Sequence, residues 1–500
     1  MPLGNILFPL FLWIHKREDN ELYNSHGIKI VNFQISITIL YVISFISLLT
    51  IEGYGFLFFI TVIPGSIAIT MFNIFKAINS QTCYYPLAFP FLKRKKGKGK
   101  TNALFLFFGI AMLFSYPIAA QSPTIERLDG SAVSKDSLTA KIEQLVSDAQ
   151  VHGLAISVFE DNQITFQKTF GFKNYPAHQD LKIHTNIYGA SLSKAVFGVL
   201  AMKLVEEGVI DLDTPLESYL PKKIYEYQPL TRWHDDFSEL KYDSLYHKIT
   251  ARMCLNHTSG FPNWRWDEAD KKLKVHIEPG TKFSYSGEGM VYLQVVLEKL
   301  TGMNLEQLAQ EKIFRPLQMY NSSYEWQDLF SKDFAFGHNS EGEVYQKDMD
   351  NEPRSASTLE TTPYDYSLFM QGVLEGKILK KSSYQELFKP QLRIRSLTQF
   401  PPGSEQISKA NDGIELSYAL GWGVFKTPHG HAAFKEGHGN GFQHYTIIFP
   451  ETKKGIMILS NSDNGESIFK ELLEVALMDV YTPWAWENYI PYNLTAVNED

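Results

Sequence analysis

Residues 189–208 read GASLSKAVFGVLAMKLVEEG, a turn of small residues followed by a regularly patterned apolar stretch. Apolar side chains recur three or four positions apart, as on one helix face, at Phe197, Leu200, Ala201, Leu204 and Val205. Gly208 stands where a C-cap glycine belongs, just after the last patterned residue. The pattern predicts a helix over residues 193–207 whose first turn lies beside Ser191.

Ser191 and Lys194 have the spacing Ser-x-x-Lys at the start of this helix. Residues three apart share a helix face, so the amine would lie beside the hydroxyl and could activate it as a nucleophile. The same spacing recurs, in less favourable contexts, at Ser238 with Lys241 and at Ser467 with Lys470. A helix N-terminus also supplies free N–H groups, which favours a nucleophile over a simple helix cap at Ser191. Ser193 replaces the second glycine of a Gly-x-Ser-x-Gly elbow, which disfavours an α/β-hydrolase.

Strand and helix patterns surround this stretch on both sides. A helix is predicted at 137–150, followed by a hairpin that turns at Asp161-Asn162. Further helices are predicted at 289–301, 304–318 and 464–479, and strands at 418–426, 442–449 and 455–460. Strands at both ends with helices between them indicate an α+β domain with an antiparallel sheet, flanking helices and a helical subdomain. We assign this domain to residues 122–480 and a C-terminal tail to 481–500.

Several motifs then follow in a recognisable order. They are SLSK at 191–194, LVEEGVIDLDTPLESYLP at 204–221, ITARMCLNHTSGFP at 249–262, EPGTKFSYSGEGMVYLQVVLEKLTG at 278–302, SASTLETTPYDYSLFM at 355–370, YALGWGV at 418–424, GHGNGF at 437–442 and ILSNSDNG at 458–465. Together they resemble the serine β-lactamase-related family, of the class C β-lactamase and penicillin-binding-protein type. The resemblance covers residues 135–480 and implies a β-lactamase/transpeptidase-like fold.

The resemblance implies roles for three residues. Ser191 would be the acylated nucleophile and Lys194 its activating partner. Tyr285 matches the family's Tyr-x-Asn element and would shuttle the proton, with its pKa depressed by Lys194. Gly287 departs from the usual asparagine, which helps to bind the substrate amide.

The family's third element, Lys-Thr-Gly or His-x-Gly, lies on a sheet edge. The sequence His438-Gly439-Asn440 is predicted to fill its place, with Asn440 as a second departure from the pattern. The oxyanion hole would use the backbone N–H of Ser191 and one from about Gly441. The predicted catalytic set is therefore Ser191, Lys194, Tyr285 and His438, with Gly287, Gly439, Asn440 and Gly441 binding the oxyanion or substrate.

Four histidines lie close together in the sequence at 429, 431, 438 and 444. No carboxylate or cysteine ligand is interleaved in a metal-binding pattern, so we expect exposed loop histidines at His429, His431 and His444. His257 is expected to be buried and to hydrogen-bond a loop near the site. Trp264 and Trp266 could either line the cleft or pack elsewhere. No metal and no organic cofactor is predicted.

The first 120 residues have a different character. Residues 34–50, 55–75 and 104–120 are apolar runs, each close to the roughly 20 residues that span a bilayer. We predict a membrane segment at 1–102, with helices at 34–51 and 55–77, and a third span or signal-like anchor at 103–121. The basic loop 92–100 is predicted to be cytoplasmic, which places the following domain outside the cytoplasm, in the periplasm. Cleavage after Ala120 stays open, and residues 15–100 also resemble a small uncharacterised helical membrane domain.

Composition limits the remaining classes of function. The 500 residues carry a net charge of −8, which argues against a protein that coats nucleic acid. Two cysteines, Cys83 and Cys254, exclude a disulfide scaffold.

We expect a membrane-anchored serine hydrolase that contacts membrane lipid and cleaves a small peptide, an ester or a β-lactam. Because Gly287 and Asn440 depart from the family pattern at substrate-binding elements, we favour a D-amino-acid peptidase or esterase over a true β-lactamase. A non-catalytic sensor of penicillin or cell-wall fragments is the alternative, and a passenger role for the domain is weaker still.

Overall fold

The computed structural model describes residues 11, 13, 27–40, 68–73, 76, 85, 88–89, 123–229, 234–349 and 352–494. The chain divides into two compact units, Met1–Ala120 and Gln121–Asp500. In the first unit, residues 27–40 and 68–73 are helical. Among the described residues, no helix is both long and apolar enough to cross a membrane. The predicted spans at 34–51, 55–77 and 103–121 and the basic loop 92–100 lie wholly or mostly outside the described residues.

Thirteen strands are present in the described part of the second unit. They are β1 Thr124–Glu126, β2 Ala132–Ser134, β3 Gly153–Glu160, β4 Gln163–Asn174, β5 Gln179–Asp180, β6 Ile187–Tyr188, β7 Glu360–Thr361, β8 Leu392–Arg393, β9 Ser417–Tyr418, β10 Gly423–Thr427, β11 Gly430–Gly439, β12 Phe442–Phe449 and β13 Lys454–Ser460. Nine of these form one antiparallel sheet in the order β5-β4-β3-β13-β12-β11-β10-β9-β8. The predicted sheet, built from both ends of the domain, is confirmed.

Helices cover both faces of this sheet. Their bounds are α1 Lys135–Asp148, α2 Ser193–Glu206, α3 Ala251–Leu255, α4 Gly287–Thr301, α5 Leu305–Ala309, α6 Pro363–Leu374, α7 Lys381–Leu387 and α8 Phe469–Leu477. Side chains alternate between the faces of a strand, so Ile156 and Ile458 join one core with α1 and α8. Ala155 and Leu459 join the other core, with α2 and α4. Central strands buried on both faces explain the nearly continuous apolar runs in the sequence.

Three features of the C-terminal half differ from the predictions. Strand β11 was not predicted, because it contains Lys435, Glu436 and several glycines and histidines in place of an apolar alternation. The described part of the predicted tail 481–500, residues 481–494, is not merely a tail, since Trp484 and Trp486 are buried in the core beside α1 and α8. Aromatic burial therefore extends the folded domain beyond residue 480. The predicted helix at 304–318 is also shorter, because α5 continues only as a π-helical turn, Gln310–Phe314.

Close backbone contacts fix the start of α2. A side chain at Gly198 would meet the carbonyl oxygen of Leu420 at 2.5 Å. Gly421 has φ +86°, and a Cβ there would lie 2.8 Å from the carbonyl oxygen of Lys194. Because neither residue has a side chain, α2 approaches the loop before β10 closely. This contact holds the first turn of α2, which carries Lys194, against the sheet.

Candidate active site

Ser191 lies in a 3-10 turn, Ala190–Leu192, that leads directly into α2. Ala190 has φ +46°, a left-handed conformation that costs an L-residue on the order of 1 kcal/mol and often accompanies functional sites. The Ser193 hydroxyl donates to the Ala190 carbonyl at 2.5 Å and accepts from the Leu359 N–H at 3.0 Å. Ser193 is therefore a buried residue that holds the turn, while Ser191 lines an open cavity.

Lys194 is nearly fully buried beside this serine. Its Nζ lies 3.0 Å from Ser191 Oγ and 2.8 Å from the carbonyl oxygen of Ala356. Burial, followed by the positive charge of Lys435, lowers the pKa of Lys194 well below its usual range, against an opposing effect of Glu436. The lowered pKa favours the free amine of Lys194, which is the form that can accept a proton from the serine hydroxyl.

Tyr285 lies on the other side of Lys194. Its hydroxyl accepts a hydrogen bond from Lys435 Nζ at 3.1 Å, and Lys194 Nζ lies 4.8 Å from the ring centroid. Burial raises the pKa of Tyr285, and the opposing effects of Lys435 and Ser191 do not overcome it. The predicted depression of this pKa by Lys194 is therefore wrong, because burial outweighs the charges and Lys194 faces the ring rather than the hydroxyl. Tyr285 keeps its proton in the resting site.

The sheet contributes Lys435, Glu436 and Gly437 from β11. Lys435 is fully buried and also donates to Glu436 Oε1 at 2.7 Å. Gly437 packs on the Ser191 turn, where a Cβ would lie 3.0 Å from the carbonyl oxygen of Gly189. Lys435-Glu436-Gly437 thus matches the Lys-Thr-Gly element better than the predicted His438-Gly439-Asn440. The first position of the motif therefore lies at Lys435, three residues before the predicted His438, because Lys435 is the residue that reaches Tyr285. Glu436 stands where the motif has threonine.

Strand pairing also corrects the predicted oxyanion donor. Gly439 pairs with Phe442 across a two-residue turn, so odd-numbered residues of β11 direct their N–H groups to β12. Even-numbered residues then direct theirs to the opposite edge, and the N–H of His438 faces the side of the Ser191 turn. The N–H of Gly441 donates to Asp463 Oδ1 at 3.0 Å, which excludes the predicted role for Gly441.

The remaining predicted residues have different positions. His438 lines the cavity, and its Nε2 lies 3.1 Å from Glu466 Oε2. Burial lowers the pKa of His438, but Glu466 and, more weakly, Glu436 raise it by more, so that the pKa lies above its usual value. Gly439, Asn440 and Gly441 lie at the end of the β11–β12 hairpin and do not line the cavity.

Gly287 and Trp264 are structurally coupled. A Cβ at Gly287 would lie 2.6 Å from the indole of Trp264, so the indole occupies the space of the family's asparagine side chain. Trp264 stacks on Trp266, with centroids 4.5 Å apart and planes at 12°, and its ring lies 5.9 Å from Lys194 Nζ. Trp264 lines the cavity, whereas Trp266 is exposed. The loss of the asparagine therefore coincides with a new aromatic wall.

Two histidine predictions have opposite outcomes. His257 is buried, stacks on Tyr285 and accepts a hydrogen bond from the N–H of Ser286 at 3.1 Å, as expected. His444 is not an exposed loop residue, because it lies in β12 and is fully buried. Its Nε2 lies 2.7 Å from the Tyr188 carbonyl, and Nδ1 accepts from the Ser460 N–H at 3.3 Å. Burial lowers the pKa of His444 to about 4, and both ring nitrogens are engaged.

The cavity measures about 370 Å³ and brings together distant parts of the chain. Its lining is Ser191, Lys194, Asn263, Trp264, Tyr285, Gln399, Phe400, Glu436, His438, Glu466, Glu487 and Asn488. Sequence reasoning missed the other seven lining residues, which are Asn263, Gln399, Phe400, Glu436, Glu466, Glu487 and Asn488. The one local signal was Trp484 with Trp486, whose aromatic pattern could have indicated that Glu487 lies in a folded segment.

Family comparisons agree with this architecture. Residues 138–477 match the family described as Beta-lactamase, and residues 1–92 match the Magnetosome magnetite crystal formation protein family. Penicillin-binding protein 4* of Bacillus subtilis (strain 168) is 22% identical over 374 residues, covering 68% of this chain and 74% of its own length. Protein flp of Staphylococcus aureus (strain MW2) is 23% identical over 345 residues, covering 66% of this chain and 63% of its own length.

Two solved structures have the same fold. The octameric penicillin-binding protein homologue from Pyrococcus abyssi has a TM-score of 0.52 at 20% identity, covering 69% of this chain and 77% of its own. D-alanine carboxypeptidase AmpC from Burkholderia cenocepacia has a TM-score of 0.52 at 18% identity, covering 66% and 94%. The predicted β-lactamase/transpeptidase-like fold, with helices around an antiparallel sheet, is confirmed for the second unit.

The coupling of Gly287 to Trp264 predicts a compensating pair of substitutions. Gly287→Asn alone should destabilise the fold by about 1–3 kcal/mol, because the new side chain overlaps the indole. Adding Trp264→Ala should recover part of that loss, whereas adding Trp266→Ala should recover none. Denaturant unfolding of the single and double variants measures the coupling free energy. Additive effects of Gly287→Asn and Trp264→Ala would contradict the steric coupling.

Proposed function

This chain belongs to the Beta-lactamase family, and on that premise we propose that it is a serine hydrolase acting through an acyl-enzyme on Ser191. One observation carries the proposal: Lys194 Nζ lies 3.0 Å from Ser191 Oγ in a buried setting that lowers the pKa of the amine well below its usual range. A hydroxyl needs such a base to become a nucleophile. The substrate class that we favour is a D-amino-acid peptide or an ester.

The proposed acylation step moves one proton through these residues. Ser191 Oγ attacks the substrate carbonyl carbon while its proton passes to the free amine of Lys194. Tyr285, which retains its own proton, donates it to the leaving group as the bond to the carbonyl carbon breaks. The tyrosinate left behind lies beside the Lys435 ammonium and regains a proton from Lys194. Water then attacks the ester on Ser191 with the same groups acting in reverse.

The developing oxyanion needs preorganised donors. We assign these to the backbone N–H groups of Ser191 and His438, because β11 directs the latter toward the Ser191 turn. One such donor contributes roughly 3–4 kcal/mol to the rate. Backbone donors suit this task because they do not reorganise when charge develops.

A serine-directed probe tests the nucleophile. We expect a fluorophosphonate to label the full chain and not Ser191→Ala, because the buried Lys194 lies 3.0 Å from the Ser191 hydroxyl and can activate it. Ser238→Ala is the matched control, since Ser238 has the same spacing to Lys241, and it should label normally. Labelling of Ser191→Ala would refute the assignment. A stable acyl-enzyme without turnover would instead support the sensor.

The same probe tests where the domain lies. We propose an extracytoplasmic domain anchored through the first 120 residues, on the strength of the apolar runs and the basic loop at 92–100. A membrane-impermeant fluorophosphonate should label intact cells as fully as lysed ones. Labelling that requires lysis would place the domain in the cytoplasm.

Lys435 gives a prediction about pH. Catalysis needs Lys194 as the free amine, so activity should fall as the pH drops below the lowered pKa of Lys194. Lys435→Met removes a neighbouring positive charge, which raises the pKa of Lys194 and should move the acid limb of kcat/KM to higher pH. Lys347→Met is the control, because Lys347 pairs with Glu360 and does not line the cavity. An unmoved acid limb in Lys435→Met would contradict the electrostatic link.

A further inference from the structure

One oxygen of Glu436 is left without a hydrogen bond inside the cavity wall. Oε1 accepts from Lys435 Nζ and from Gln399 Nε2, each at 2.7 Å. Oε2 is buried and has no hydrogen-bond partner within the described ranges of the chain. The side chain is only 3% exposed. A buried polar atom without a partner costs free energy, and at a cavity it indicates a place for a ligand's donor.

Glu436 is close to the reacting groups. It precedes Gly437, which packs on the Ser191 turn, and its Oε1 shares Lys435 Nζ with the hydroxyl of Tyr285. Glu436 lines the same cavity as Ser191, on the strand face it shares with His438. A substrate group that reaches Oε2 would therefore lie in the cavity that Ser191 also lines.

The charged groups around Glu436 Oε2 do not supply it with a donor. Burial lowers the pKa of Lys194 well below its usual range, and Lys435 is already shared between Tyr285 and Oε1 of the glutamate. Glu466 is paired with His438. Burial, with the charges of Glu436 and Glu466, raises the pKa of Glu487 well above its usual range, which disfavours a negative charge on Glu487. Among the described residues that line the cavity, none is an arginine.

We propose that Glu436 Oε2 binds an ammonium group that the substrate carries beside its scissile carbonyl. The preferred substrates are then amides or esters of amino acids or peptides with a free amino terminus. A substrate carboxylate at this position would instead meet the carboxylate of Glu436 and be repelled. The proposal rests on the proposed function for its chemistry, and it assigns to Glu436 the choice of substrate.

Three matched p-nitroanilides test this selectivity in the full chain. They are those of D-alanine, which carries the ammonium, of propionic acid, which lacks it, and of succinic acid, which carries a carboxylate. We expect kcat/KM for the D-alanine compound to exceed that for the propionic acid compound by about tenfold or more, with the succinic acid compound slowest. In Glu436→Gln the first ratio should fall by about tenfold, whereas a purely structural role would lower all three rates together.

Glu466→Gln is the control for position, because Glu466 lines the same cavity and is paired with His438. It should leave the ratio nearly unchanged. Loss of the ratio in Glu466→Gln but not in Glu436→Gln would overturn the assignment to Glu436. A preference for the succinic acid compound would overturn the proposal altogether.

A binding measurement separates this inference from the proposed function. Isothermal titration calorimetry on Ser191→Ala measures the affinities of D-alaninamide and propionamide at neutral pH. Binding of these amides does not require the nucleophile. We expect D-alaninamide to bind about tenfold more tightly, and the advantage to vanish in Ser191→Ala with Glu436→Gln. Equal binding of the two amides to Ser191→Ala would refute the ammonium site. If Ser191→Ala still reacts with the fluorophosphonate, the proposed function fails while this binding result stands.

Discussion

The buried ion pair between Lys435 and Glu436 is the interaction on which the site depends. Its charges lie 2.7 Å apart on one strand with almost no access to solvent. Removing either partner would leave the other as an uncompensated buried charge, which is strongly destabilising. The ammonium of Lys435 also donates to Tyr285, and it adds to the effect of burial, which is the main cause of the lowered pKa of Lys194. The pair therefore contacts or electrostatically influences both groups that flank Ser191.

Close packing brings this pair to the nucleophile. Gly437 allows β11 to approach the turn that carries Ser191, and Gly198 and Gly421 allow α2 to approach the loop before β10. Ser193 holds that turn through Ala190 and Leu359. A side chain at any of the three glycines would separate the sheet from the helix, and with it Lys435 from Ser191.

The cavity differs from the family pattern in a coordinated way. Glycine at 287 makes room for the indole of Trp264, and glutamate at 436 replaces the expected threonine while pairing with Lys435. Each substitution is accompanied by a new contact, with Trp264 in one case and with Lys435 in the other. Neither substitution therefore merely removes a binding group. The result is a wall that is aromatic on one side and acidic on the other.

The sequence by itself determined the helix after Ser191, the Ser-x-x-Lys pair, the hairpin at Asp161-Asn162 and the sheet formed by both ends of the domain. These features depend on spacing within one or two turns of helix or strand, which periodicity records directly. Only the tertiary structure decided that Lys435 rather than His438 reaches Tyr285 and that Glu487 lines the cavity. It also decided that the N–H of Gly441 donates to Asp463 and so cannot serve the oxyanion hole. Those contacts join residues far apart in the chain. They are set by strand register and close packing, for which no local pattern exists in the sequence.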